Sequence, residues 1–169
     1  MTTPTLTGER ADLVQTLDTH RAFLRFTVRD LTDEQATSRP TASALTLVGL
    51  IRHVARQEDA WAQFAVSGPE AFGTAAQNAE EWAAEWRLAP GETLASVLSG
   101  YEEVARRTDE LVATLDLDAS HPLPEAPWFE PGAVRSVRRV FLHIVAETAQ
   151  HAGHADILRE SIDGQKTMG

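Results

Sequence analysis

Along most of the chain, apolar residues return at helical spacing. From about Gly8 to Leu31, the positions Leu13, Leu17, His20, Leu24 and Val28 follow one another at intervals of three and four, which places them on one face of a helix. Thr32-Asp33-Glu34-Gln35 then opens a short turn or stub. Pro40 closes it, because the residue before a proline is pushed out of the helical region. A second pattern begins at Thr46, a suitable N-cap, and runs through Leu47, Leu50, His53, Val54, Trp61 and Phe64 until Ser67-Gly68-Pro69 stops it. A looser stretch follows, in which Glu80 to Arg87 predicts one or two helical turns before the break at Ala89-Pro90-Gly91.

The third pattern covers Thr93 to about Leu115, with Leu94, Val97, Leu98, Tyr101, Val104, Leu111 and Leu115 as its apolar stripe. The fourth opens at Ser136 and continues to Ile162, with Gly164 as the natural C-terminal stop. Between them, Asp116 to Ala133 carries four prolines and Gly132 and reads as a long loop, the kind of segment that often bears function. No segment reads as a strand. Four helices joined by mostly short connections predict an all-α fold, a four-helix up-and-down bundle, and residues 1–169 are expected to form one domain.

Composition narrows the chemistry. Apolar residues make up 43% of the chain and charged residues 24%, as in ordinary soluble globular proteins. The absence of cysteine excludes disulfides, thiolate metal ligands and cysteine nucleophiles, so any thiol must be brought in from outside. A formal net charge of -10 argues against nucleic acid and anionic membranes as partners. Neither a signal peptide nor a membrane span is apparent, and the expected location is cytoplasmic.

The fourth pattern holds an unusual polar stripe. At about 100° per residue, His143, Glu147, His151 and His154 fall within about 80° of one another, and Val140 and Leu158 share the stripe, so it should face the interior. A buried carboxylate needs a partner. Glu147 and His151 are one turn apart and can reach one divalent ion, for which zinc suits imidazole nitrogen and carboxylate oxygen. The third ligand must come from another helix. His53, inside the strongly apolar second pattern, is the first candidate and His20 the weaker one, whereas His121 is expected to be solvated in the loop. The residues alone leave two readings: a metal site, or a buried network in which Glu147 accepts hydrogen bonds from two imidazoles. Several other motif classes are missing, among them His-Glu-x-x-His, paired Glu-x-x-His, a glycine-rich phosphate loop and a serine nucleophile elbow.

Two stretches are similar to a known group. Ala44 to His53 (ALTLVGLIRH) and Glu147 to Glu160 (ETAQHAGHADILRE) resemble the DinB-like metalloprotein superfamily. Glu147-x-x-x-His151, in place of the more common His-x-x-x-His, resembles the mycothiol-dependent maleylpyruvate isomerase branch. That resemblance implies a DinB-like four-helix bundle with zinc, or another divalent metal such as nickel, held by His53, Glu147 and His151. It also implies a homodimer and a low-molecular-weight thiol such as mycothiol as co-substrate. Isomerase members carry a further C-terminal domain for which 169 residues leave no room, so the metal triad carries over rather than a substrate.

The expected function is that of a zinc-dependent enzyme using such a thiol, of transferase or isomerase type, with His154 as a proton shuttle or partner of the ligands. A metal-dependent hydrolase and a non-catalytic metal or small-ligand binding protein are the alternatives. An enzyme for an anionic thiol needs fixed positive charge near the metal, for which Arg52, Arg56, Arg138 and Arg139 are candidates. Trp128 and Phe129 are read as packing anchors or a pocket cap. Trp61, Trp82 and Trp86 are read as core or interface, and Glu80 and Glu81 as solvated surface.

Overall fold

The computed structural model describes residues 6–72 and 84–167. Every helix after the first begins on a hydroxyl side chain that caps its N-terminus. Helix α1 spans Glu9–Phe26, and the stub α2, Asp33–Thr37, is closed by a capping box between Thr32 and Gln35. Helix α3, Leu47–Ser67, starts on Thr46, whose hydroxyl accepts from the Gly49 amide, and runs into a 3-10 turn at Gly68–Phe72. Helix α4 covers Leu94–Thr114 behind a Thr93–Ser96 capping box. Helix α5, Val137–Asp163, is capped by Ser136 and ends on Gly164 in the left-handed conformation, which a residue with no Cβ adopts without strain.

The four long helices form the expected all-α, DinB-like bundle. Two of them ascend and two descend. Arg138 pairs with Glu9, and Arg159 donates to Thr27 O at 2.9 Å, so α1 and α5 run in parallel. Arg52 pairs with Glu92, and Arg107 with Asp59 at 3.0 Å, so α3 and α4 run in parallel as well. The two pairs oppose each other: Arg10 on the first turn of α1 donates to Leu115 O at the end of α4, at 2.8 Å. Around the bundle, α1 packs on α5, α5 on α3, α3 on α4 and α4 on α1. A parallel α3–α4 pair needs a long connection rather than a tight turn, and 26 residues separate Ser67 from Leu94.

The core lies in two apolar halves. One is centred on Leu24, Leu50, Ile51, Val54, Trp86 and Leu158, and the other on Leu17, Trp61, Phe64, Phe141 and Ile144. Each fully buried aliphatic or aromatic side chain contributes about 2 kcal/mol. A polar layer lies among these helices. Arg21, 1% exposed, pairs with Glu58, also 1% exposed, and with Asp109 at 2.8 Å. Burial raises Tyr101, nearby, above its usual pKa, and the negative charge of Glu58 adds to the rise.

Two expectations fail between α4 and α5. The segment read as a loop contains a short antiparallel hairpin ladder, Ser120–Pro122 (β1) with Val134–Ser136 (β2), in which His121 faces Arg135. Three-residue strands are too short to show alternation, so no strand signal precedes them in sequence. His121 is not solvated. It is half-buried against Phe64, and its Nε2 lies 3.2 Å from Ala65 O as a hydrogen-bond donor to that carbonyl. Of the helical turns expected over Glu80–Arg87, residues 84 and 85 are helical, whereas Glu80, Glu81 and Trp82 lie outside the described residues. Among the described residues, no helix is long and apolar enough to cross a membrane.

One close approach sets the geometry of the site. A Cβ on Gly49 would lie 2.4 Å from the Trp86 ring and 3.0 Å from its Cα. Gly49→Ala is therefore expected to lower stability by about 1–3 kcal/mol through overpacking. Chemical denaturation followed by tryptophan fluorescence checks this, because Trp86 must move if the helix stays.

Candidate metal centre

His53 enters from the middle of α3, and Glu147 and His151 enter from successive turns of α5. Both helices present these residues inward because their neighbours on the same faces, Leu50, Val54, Ile144 and Ala155, are buried. The two imidazoles converge on one carboxylate oxygen. His53 Nε2 lies 3.6 Å and His151 Nε2 3.2 Å from Glu147 Oε1. Donor atoms of the three residues all lie within 4.8 Å of one another. Tetrahedral zinc with bonds of about 2 Å separates its ligands by about 3.3 Å, a spacing these two distances bracket. The donor set is two nitrogens and one oxygen, which fits a borderline divalent ion in a chain without thiolates. The side chains are 13%, 25% and 15% exposed for His53, Glu147 and His151, so the cluster opens to solvent on one side, leaving room for another ligand.

Each imidazole turns its second nitrogen toward another group. His151 Nδ1 lies 3.3 Å from His154 Nδ1, which makes His154 a neighbour of the cluster rather than a member of it. His53 Nδ1 lies 3.6 Å from Glu85 Oε1, and Trp86 stacks on the His53 ring at 6.1 Å. Burial pushes the His151 pKa below its usual value, the adjacent His53 adds to the drop, and the Glu147 charge opposes it. His151 is accordingly a neutral imidazole at neutral pH, the form that binds metal.

The other candidates lie apart. His143, one turn before Glu147, packs edge-on against Trp61 at 4.6 Å instead of joining the donor set. Its pKa is also lowered, by burial first and then by Arg135. His20 lies against Phe23 on α1, outside the donor cluster. Among the arginines, Arg52 is occupied by Glu92 and by the carbonyls of Ala84, Glu85 and Arg87, Arg56 pairs with Glu85, and Arg138 pairs with Glu9 and Asp118. Arg139 is exposed. Trp128, 77% exposed, neither anchors nor caps, while Phe129 packs into the core half around Trp61.

Two residues escape a reading of pattern alone. Glu85 sits in a broken segment, yet it is 4% exposed and faces His53. Arg135 lies in β2, with its guanidinium 4.7 Å over the Trp61 ring and 5.4 Å over Phe129. Among the described residues no acidic side chain pairs with Arg135, and its buried Nη1 has no hydrogen-bond partner there.

Comparison with known proteins places the chain in a family. The sequence model of the mycothiol-S-transferase family matches residues 12–164, and the chain belongs to that family. No curated protein matches. A solved structure described as a conserved protein of locus from Enterococcus faecalis superposes with a TM-score of 0.71 at 14% identity, over 95% of this chain and 100% of that one. The likeness shows a shared fold.

The depressed imidazoles make a prediction. His143 and His151 both have folded-state pKa values below 6.5, so the unfolded chain takes up their protons more readily. Their contribution is complete above that value and is withdrawn as pH falls through it. The thermal midpoint of metal-free protein should drop between about pH 7.5 and about pH 5.5, and His143→Phe should shrink the drop. Calorimetry in the presence of a chelator measures both.

Proposed function

We propose that this member of the mycothiol-S-transferase family is a zinc-dependent enzyme that transfers a low-molecular-weight thiol such as mycothiol to an electrophilic small molecule, with His53, Glu147 and His151 as the metal ligands. The observation that carries this reading is the convergence of two imidazole Nε2 atoms on Glu147 Oε1, from two helices, within a chain whose family is named for that reaction. A divalent ion in this setting supplies a Lewis acid beside which a thiol ionises near neutral pH.

The chain's own groups do the rest. Two imidazole ligands and one carboxylate would leave a divalent ion held by the three with net positive charge for an anionic sulfur. His154 holds the far nitrogen of His151 and sets the orientation of that ring. In this reading it is also the proton shuttle, acting through the His151 ring. Trp61 and His143 wall the stripe between the cluster and Arg135. A guanidinium on an aromatic platform, with no acidic partner among the described residues, suits a carboxylate or similar anionic group on the substrate. The reading includes a homodimer, as the family resemblance implies, and a cytoplasmic location.

Elemental analysis of purified protein tests the ligand set. Wild type incubated with zinc and desalted should carry about one ion per chain, and His151→Ala should lose it while keeping its helical circular dichroism. Wild type that retains no zinc would sink the metalloenzyme reading and leave a buried hydrogen-bond network. Arg135 has its own test. With an anionic electrophile and a thiol donor, Arg135→Ala should raise KM about tenfold and leave kcat within about threefold, while a neutral electrophile should be unaffected. Equal losses on both substrates would remove Arg135 from the substrate site.

A further inference from the structure

The stretch at residues 84–87 is bonded to α3 with unusual thoroughness for a segment between helices. Arg52 Nη1 donates to three of its carbonyls, Ala84 at 3.2 Å, Glu85 at 2.9 Å and Arg87 at 2.6 Å. Thr46 Oγ1 donates to Trp86 O at 3.0 Å, and Gly49 leaves out the Cβ that would collide with Trp86. These bonds place two successive side chains against His53: the Trp86 ring stacked at 24°, and the Glu85 carboxylate on the Nδ1 side.

Glu85 is an expensive residue to keep there. It is 4% exposed, its Oε1 faces Arg56 Nη1 at 3.2 Å and His53 Nδ1 at 3.6 Å, and its Oε2 is buried with no hydrogen-bond partner among the described residues. A buried carboxylate with an unsatisfied oxygen costs stability, and an apolar residue would pack in its place without that cost. One property an apolar residue lacks is the power to fix a histidine tautomer. At 3.6 Å the Glu85 carboxylate is within ion-pair rather than hydrogen-bond distance of Nδ1, and its negative charge favours the proton on that nitrogen, which leaves the lone pair on Nε2, the atom that faces Glu147.

We propose that Glu85 is the positioning residue of His53: it keeps the imidazole in the Nδ1–H tautomer and aims Nε2 at the cluster formed with Glu147 and His151. The purpose of this contact rests on His53 being a metal ligand, but the tautomer itself exists without metal. Glu85 thus does for His53 what His154 does for His151, from a different part of the chain.

The experiment uses the full chain with 15N-labelled histidine, metal-free and then with zinc as the probe. Wild type should show His53 as the Nδ1–H tautomer by its 15N shifts. Glu85→Ala should give a tautomer mixture and bind zinc about 10–100-fold more weakly in competition with a chromogenic chelator. Glu85→Gln, whose amide oxygen keeps partial negative charge beside Nδ1–H, should keep the tautomer and most of the affinity. Arg56→Ala removes the other partner of Glu85 and should leave both readouts near wild type, which separates positioning from simple anchoring of the segment. An unchanged His53 tautomer in a folded Glu85→Ala protein would overturn the proposal. So would equal losses in Glu85→Gln and Glu85→Ala. If wild type binds no zinc, the tautomer measurement still decides the role of Glu85, and only the metal reading fails.

Discussion

The antiparallel contact between α3 and α5 is the constraint on which the site depends. Two ring contacts define its register: His53 against His151 at 4.8 Å, and Trp61 against His143 at 4.6 Å. In both helices the two contacting residues are eight apart, so each helix advances by about 12 Å between contacts and the two remain in step. A slip of one turn on either helix would move His53 past Glu147 by about 5.4 Å and dissolve the cluster. The apolar residues around these rings, Leu50, Val54, Phe64, Phe141 and Ile144, interlock at native density and hold the register. Packing energy from the core is thereby converted into the placement of a few polar atoms.

The surrounding polar interactions serve the same bundle from outside the cluster. Arginines bind the carbonyls left over at helix ends: Arg10 at the end of α4, Arg159 at Thr27 and Arg29 after α1, and Arg52 at residues 84–87. Arg21 and Glu58 bury opposite charges, with Asp109 beside them. A buried pair of this kind adds little net stability, but losing one partner leaves an uncompensated charge, so it penalises any other alignment of α1, α3 and α4. In a chain of formal net charge -10, these cations are placed where backbone or buried carboxylate needs them. Arg135 is placed differently, with its guanidinium over Trp61 and Phe129 and no acidic partner among the described residues.

How far the site was legible depends on how local its signal is. The stripe of His143, Glu147, His151 and His154 lies on one continuous helix, so periodicity alone aligns it. Periodicity does not say which members meet. His143 and Glu147 share a face, yet His143 turns to Trp61 while Glu147 turns to His53. That split is set by what the facing helix offers at each level. His121 was misread for a similar reason: its prolines signal a loop, whereas its ring is held by Phe64 and Ala65, more than fifty residues earlier.

By itself the sequence determined the four long helices, their caps and the inward stripe on the last of them. Each of these follows from residues within a turn or two of one another, where helical geometry is the only rule needed. It also pointed to His53, because a histidine amid Leu50, Val54 and Phe64 has nowhere to go but inward. Only the tertiary structure decided that α3 and α4 run in parallel, that His53 meets Glu147, that Glu85 stands behind His53 and that Arg135 lies over Trp61 and Phe129. Those facts depend on how segments far apart in the chain pack against one another, and no spacing within a single helix encodes the level at which a neighbouring helix crosses it.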